Sequence, residues 1–144
     1  SWSSVDITGT DIVGGLVGRN VTSIQDSYAV GTVSGSEHVG GLIGYSDGGG
    51  SLDYAFAATP LSGTTGYVGG VEGNIGSSIT SAYWDTDVGG SVGSSGTGLS
   101  TAQAVQEASY VGFDFTSVWT IDEGASYPCL QWQSECPVPE TDPE

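Results

Sequence analysis

Four aspartates stand where an ion could be held. The stretch "SDGGGSLD" places Asp47 and Asp53 in a glycine-rich turn, and "WDTDVGG" places Asp85 and Asp87 two positions apart. Calcium takes roughly six to eight oxygen ligands from carboxylates and carbonyls on a flexible loop. Neither stretch supplies a full ligand set, and the same residues serve ordinary Asx turns. Calcium is nevertheless the ion these turns suit, and no other cofactor is expected. Catalytic chemistry finds less. His38 is the single histidine, and no nucleophile pattern accompanies it. It reads as a loop residue. Asp85 with Asp87, and Asp122 with Glu123, are paired carboxylates. A glycosidase needs its pair facing each other across a sugar, whereas adjacent acids in turns more often cap or solvate. There is no phosphate-binding loop, nucleophile elbow or metalloprotease helix motif. A lyase acting on acidic sugars needs cations to neutralise its substrate, and the chain has one Lys or Arg in all. The expectation is a protein without enzymatic activity.

Cys129 and Cys136 have six residues between them. With no other His or Cys nearby in the sequence to complete a metal site, a disulfide is favoured over two free thiols. Such a short loop would stabilise by about 2–3 kcal/mol. A disulfide points outside the cytoplasm, and "NVT" at Asn20 is a glycosylation sequon compatible with that location.

The charge balance narrows the partners. Seventeen acids oppose Arg19, for a net charge of −16. Nucleic acids and anionic membranes both recruit clustered Lys and Arg, so neither is a partner. No run of 18 apolar residues exists to insert in a membrane. The acids are scattered, which describes a solvating surface suited to high salt or abundant divalent cations. An ordinary acidic secreted protein is the alternative. The chain opens on Ser with no leader before it, as in a processed or excised form.

The elements that carry these residues repeat. Trp2, Tyr28, Phe56 and Tyr83 recur at intervals of 26, 28 and 27. Five residues after each stands an aliphatic (Ile7, Val33, Leu61, Val88), and two further on a glycine (Gly9, Gly35, Gly63, Gly90). Ile24, Leu52 and Ile79 precede the last three aromatics by four positions. Val13, Val39 and Val68 each lead a Gly-Gly pair, followed by Leu16, Leu42 and Val71. Runs this short and β-branched, punctuated by Gly, Ser and Thr, are strands. A strand-turn unit that cannot bury its own face must stack on its neighbours. The expected fold is therefore all-β, a β-solenoid of about three and a half coils of ~27 residues over 1–92. Like residues would align about 4.8 Å apart, with glycine at corners too sharp for other residues. One ladder breaks: Val17 and Ile43 are followed by Glu72, which is expected to face solvent or to mark where the last coil departs.

"VGGLVGRN", "VGGLIGYS" and the linking "SIQDSYAVGTVSGSEHVGG" resemble GLUG repeats. "VGGVEGNI" is a degenerate third copy. "AYWDTDVGGSVGSSGTGLSTAQ" and "VGFDFTSVWTIDEGASYPCLQWQ" are similar to the segment that often follows such repeats. The resemblance covers roughly residues 2–133. It implies a large secreted bacterial or archaeal surface protein, such as an adhesin, and it implies no active site.

Residues 93–136 read as a cap over the end of the solenoid, and 137–144 as an acidic, proline-rich tail. Ser100 is an N-cap for a short helix with the body Ala-Gln-Ala-Val-Gln-Glu-Ala, and "FDFTSVWTI" and "YPCLQWQ" flank a turn as a hairpin. No cap precedes Trp2. Two accounts fit: a strand edge open to head-to-tail assembly of copies into a filament, or a segment of an adhesin stalk stacked on neighbouring repeats. Both describe an extracellular, cell-surface structural protein. The alternative is a module binding a glycan or a host protein, with Tyr45, Tyr54 and Tyr67 as a stacking face.

Overall fold

The computed structural model describes residues 1–63, 67–74, 76–90 and 96–139. The first repeat supplies β1 (Trp2–Ser4), β2 (Ile7–Thr8), β3 (Ile12–Gly14) and β4 (Val17–Asn20). The second supplies β5 (Ile24–Val30), β6 (Val33–Gly35), β7 (His38–Gly40) and β8 (Ile43–Ser46). The third supplies β9 (Ser51–Ala58), β10 (Leu61–Gly63), β11 (Tyr67–Gly69) and β12 (Glu72–Asn74), and the fourth contributes β13 (Ser78–Asp85). Equivalent strands pair in parallel, giving the orders β1-β5-β9-β13, β2-β6-β10, β3-β7-β11 and β4-β8-β12. The chain is all-β, with only short helical turns after β13 among the described residues.

The register is one repeat. Trp2 pairs with Tyr28, Tyr28 with Phe56 and Phe56 with Tyr83. Ile24, Leu52 and Ile79 form a second row, and Val13, Val39 and Val68 a third. Leu16, Leu42 and Val71 are linked through backbone bonds from Leu16 N to Leu42 O and from Leu42 N to Val71 O. A rung flanked on both sides is sealed, while an outer rung is not. Leu42, Leu52, Phe56 and Val39 are fully buried, but Ile24 and Ile79, the ends of their row, are half-buried.

Three residues set which rows point inward. Asp26, Tyr54 and Ser81 have φ of 49°, 55° and 58°, at the same phase of β5, β9 and β13. A left-handed residue inside a strand shifts the alternation by one. Ile24 and Leu52 point in before it. After it Ala55, Ala57 and Ala82 point in, while Tyr28, Phe56 and Tyr83 point out into a separate aromatic cluster. The alanines lie beneath the Gly-Gly corners, where no further atom fits. A Cβ on Gly41 would lie 2.1 Å from Gly70 O and 2.9 Å from the Ala57 methyl. Trp84 takes the alanine position on the last rung, paired with Ala57. Its indole lies against Gly70 and its Nε1 donates to Gly90 O at 3.1 Å. A large ring thus fills the interior where the alanine row stops.

Two expectations need correction here. Glu72 does not face solvent and the strand does not depart: β12 keeps register, Glu72 opposite Ile43, and Glu72 is fully buried. Its Oε1 accepts from Ser46 Oγ at 2.8 Å, and Ser46 Oγ in turn accepts from Ser77 Oγ, so hydroxyls carry the carboxylate where apolar neighbours could not. Val88 does not continue the Ile7–Val33–Leu61 row. It lies in α1 (Thr86–Gly89), which starts because Asp85 accepts from Asp87 N as its N-cap.

Beyond α1, β14 (Thr97–Leu99) adds to the large sheet beside β13. Ser100 caps α2 (Thr101–Ala104) in a capping box with Gln103. That helix is shorter than expected. The Ala104 carbonyl is taken by Tyr110 OH and the Val105 carbonyl by Gly124 N, so the ladder stops and gives way to a 3-10 turn, Glu107–Ser109. The hairpin is present as β15 (Trp119–Thr120) antiparallel to β16 (Cys129–Leu130), and Cys129 is bonded to Cys136. β14 covers the free edge of the last rung, as a cap would, but most of the region does not sit over the end. It lies along the outward aromatic row: Trp119 on Tyr28 (6.1 Å between ring centroids), Tyr127 on Phe56 (5.1 Å) and Tyr110 on Tyr83 (5.3 Å). Aromatic surface of that area must be covered somewhere, and here it is covered from the side. The expected boundary at 92–93 and the tail from 140 lie outside the described residues.

Leu42→Ala is expected to cost about 2–5 kcal/mol in chemical denaturation, as a large-to-small change at a sealed rung. Ser81→Val is expected to be less stable than Ser81→Gly by about 1–2 kcal/mol, because a β-branched residue tolerates the left-handed region poorly. Ordinary strand propensity predicts the reverse order, so a Val variant equal to or better than the Gly variant would rule out the kink.

Candidate functional site

The sequence-selected residues fall in three places. The first is a row on the outside of the repeats. His38 on β7 lies opposite Tyr67 on β11, and the rings stack at 5.3 Å with a 20° interplanar angle. Tyr45 on β8 meets the same imidazole edge-on at 5.3 Å. Arg19 on β4 is in register with Tyr45 and lies 5.8 Å from its ring centroid. Strand register thus lines up Arg19, Tyr45, His38 and Tyr67, with Tyr67 59% exposed. Aromatic faces next to charged groups suit the apolar face of a sugar ring. Tyr54 does not join them. It packs edge-on against Phe113 at 6.2 Å, in the aromatic cluster between sheet and C-terminal region. Motif reading treats His38 as a loop residue and misses it as the centre of this row. The repeat phase carries the signal that finds it, since Ile12, His38 and Tyr67 precede the three ladder valines.

The second place is where Asp47, Asp53 and Asn20 lie. Asp47 forms an ion pair with Arg19 through Oδ2. Asp53 accepts from Ser51 Oγ at 2.8 Å. Neither belongs to a group of three or more His, Cys, Asp or Glu side chains within metal-binding distance of one another among the described residues. Asn20 is buried. Its Nδ2 donates to Thr22 O and its Oδ1 accepts from Thr22 N. The sequon therefore forms an Asx turn under the next repeat, with its side-chain amide hydrogen-bonded in the folded chain.

The third place joins the end of the repeats to the C-terminal region. Asp85 is fully buried. Its Oδ2 accepts from Thr101 Oγ1 and from Tyr127 OH, each at 2.7 Å, and its Oδ1 accepts from Asp87 N. Asp87 Oδ2 accepts from Thr101 N at 2.9 Å. Asp85 and Asp87 are thus brought together on Thr101, in a lock whose carboxylate oxygens are met by protein donors. Burial, and after it the Asp85 bond and charge, pushes the Tyr127 phenol well above its ordinary range. Burial also raises Tyr110, with Tyr127, Asp85 and Tyr83 adding to it, and raises Tyr28 against the opposing bond to Gln133.

Residues 9–34, which run from just after β2 into β6, match the family model described as the GLUG motif. The chain carries a GLUG repeat. The matched segment holds β3, the strand beside His38, and the first Gly-Gly corner. The chain is also 35% identical over 127 residues to a protein of Evansella cellulosilytica named "Putative Gly-rich membrane protein", over 84% of this chain. It spans 12% of that relative's length. No solved structure matches. Among the described residues no helix is long and apolar enough to cross a membrane.

The raised tyrosines have a consequence in alkali. In the unfolded chain these phenols ionise near pH 10, while the folded chain holds them protonated to higher pH. Stability is then fully present below about pH 10 and falls as pH rises further, since the unfolded state binds fewer protons. An ultraviolet titration should show Tyr28, Tyr110 and Tyr127 ionising late and together with unfolding. All seven tyrosines titrating smoothly near pH 10 in folded protein would contradict the packing described.

Proposed function

We propose that the chain is a non-enzymatic structural segment of an extracellular, cell-surface protein, built as a β-solenoid that stacks end to end. The observation that carries this reading is the placement of the edges. β1, β2, β3 and β4 are the outer strands of their four parallel sheets, all from the first repeat. Strand edges that face one way with no partner among the described residues are templates for further strands of the same kind. The partner is then either another copy of this chain, added head to tail into a filament, or neighbouring repeats of a longer stalk. The small share of the Evansella relative that the chain spans suits the second arrangement. The disulfide and the acidic surface suit an exported, saline setting.

A second reading has its own observation. Arg19, Tyr45, His38 and Tyr67 converge on one outer face, as a glycan- or protein-binding module requires. The chain is expected to associate in concentrated solution at high salt, seen as rising mass in light scattering and as fibres in micrographs. Thr8→Pro, which removes a backbone donor from an outer strand, should abolish that association. A chain that stays monomeric overturns self-assembly and leaves stacking within a longer protein. Glycan binding that is lost in Tyr67→Ala, without any association, would favour the module instead.

A further inference from the structure

In-register stacking has a cost for charged residues. Each side chain faces its counterpart one repeat away, and like charges directly opposite are destabilising. The repeats mostly avoid this. Asp53 lies between Gln25 and Thr80, Glu72 opposite Ile43, and Asp85 opposite Leu99. One place differs. Asp11 and Glu37 hold the same phase, each just before a paired residue, Ile12 and His38. The backbone fixes them there, with His38 N donating to Asp11 O at 3.0 Å and Tyr67 N to Glu37 O at 2.7 Å. The chain's single Lys or Arg is Arg19, already paired with Asp47.

The imidazole of His38 lies close to both carboxylates. One ligand atom from each of Asp11, Glu37 and His38 lies within 4.8 Å of the other two, the only such group among the described residues. The imidazole distinguishes this group from a patch of surface acids. The ring is held in place by Tyr67 stacked on it and Tyr45 at its edge, and its buried Nδ1 has no hydrogen-bond partner among the described residues. Two carboxylates at the same phase of adjacent repeats, a nitrogen without a partner among the described residues and no cationic side chain to spare describe a site that needs a cation from solution.

We propose that Asp11, Glu37 and His38 bind a divalent transition-metal ion that clamps the first repeat to the second. Zinc bonds to imidazole nitrogen and carboxylate oxygen at about 2.0–2.2 Å, which sets ligand atoms about 3.4 Å apart around a tetrahedral ion. Rotation of the exposed Asp11 and Glu37 side chains closes the remaining distance. Three protein ligands leave a fourth position for water or for a group from another molecule. Calcium, which prefers an all-oxygen shell, suits this set less well than zinc.

His38 is the only histidine, so its ring is an unambiguous reporter. Zinc chloride titrated into the intact chain should shift the His38 ring resonances in an NMR spectrum, saturating at one equivalent, and should raise the melting temperature. Asp11→Asn and Glu37→Gln, both exposed changes that leave the core untouched, should each weaken zinc binding at least tenfold in calorimetry. Asp53→Asn, at a separate acid, should leave it unchanged. The proposal is overturned if the ring signals do not move in a tenfold excess of zinc. It is equally overturned if Asp11→Asn/Glu37→Gln binds zinc as the parent chain does, or if calcium moves the ring as zinc does.

Discussion

Every feature of this molecule answers to one constraint, the parallel pairing of each strand with its equivalent one repeat later. That pairing places each side chain against its own counterpart, so a row must be made of residues that pack on themselves. Valine on valine, leucine on isoleucine and phenylalanine on tyrosine meet the requirement. The same pairing brings backbones together at corners. There the Gly-Gly pairs are required by space, since a Cβ on Gly15 or Gly41 would meet the carbonyl oxygen of the repeat above at 2.2 or 2.1 Å. The recurring Val-Gly-Gly stretches are thus a packing specification: Val13, Val39 and Val68 fill the interior, and the glycines after them let the next rung approach.

The aromatic row shows how a local strain becomes a tertiary interface. A residue at φ near +55° in a strand costs about 1–2 kcal/mol when it is not glycine, and it recurs in three successive repeats. Its effect is to turn Tyr28, Phe56 and Tyr83 outward. Their rings form the ground on which Tyr110, Phe113, Trp119 and Tyr127 settle. Polar bonds then pin that region at both ends: Trp119 Nε1 to Asp26 Oδ1 and Tyr28 OH to Gln133 on the early repeats, Tyr127 OH to Asp85 on the last. The C-terminal region therefore acts as a splint across several rungs. Its Cys129–Cys136 bond closes the loop that carries Gln133.

The rows themselves are legible in the sequence, because a repeat writes its register as spacing. The short helix and hairpin are legible from Ser100 and from the turn "DEGAS". Whatever depends on direction stays hidden. Nothing in Asp26, Tyr54 and Ser81 as residue types announces a left-handed position, so spacing places the aromatic row on an edge but not on the outer side. Without that, the region expected to cover the end cannot be seen to lie mostly on the flank. Glu72 misleads for a related reason: an acid in an apolar row reads as exposed until Ser46 and Ser77 are known to meet it. His38 escapes because motif searches ask for neighbours in sequence. Its neighbours, Tyr45 and Tyr67, are supplied by the strand beside it and by the next repeat.

A net charge of −16 and close stacking of like on like pull in opposite directions. Parallel pairing sets neighbouring strands about 4.8 Å apart, less than the Debye length of about 8 Å at physiological ionic strength. A row of carboxylates would therefore repel even in moderate salt. The repeats resolve this by giving most paired acids a neutral neighbour in register and, often, a donor of their own. Asp6 accepts from Thr32 N and Oγ1, which holds its carboxyl below the ordinary range. Asp53 takes the Ser51 hydroxyl and Glu72 that of Ser46. Serine and threonine take the place that lysine would hold in a less acidic chain, donating hydrogen bonds without adding charge. The outer surface stays strongly negative, while most rungs that must touch are locally neutral. Charge that is spread over a surface but largely kept out of the pairing rows can be screened by solution ions without weakening the register that holds the repeats together.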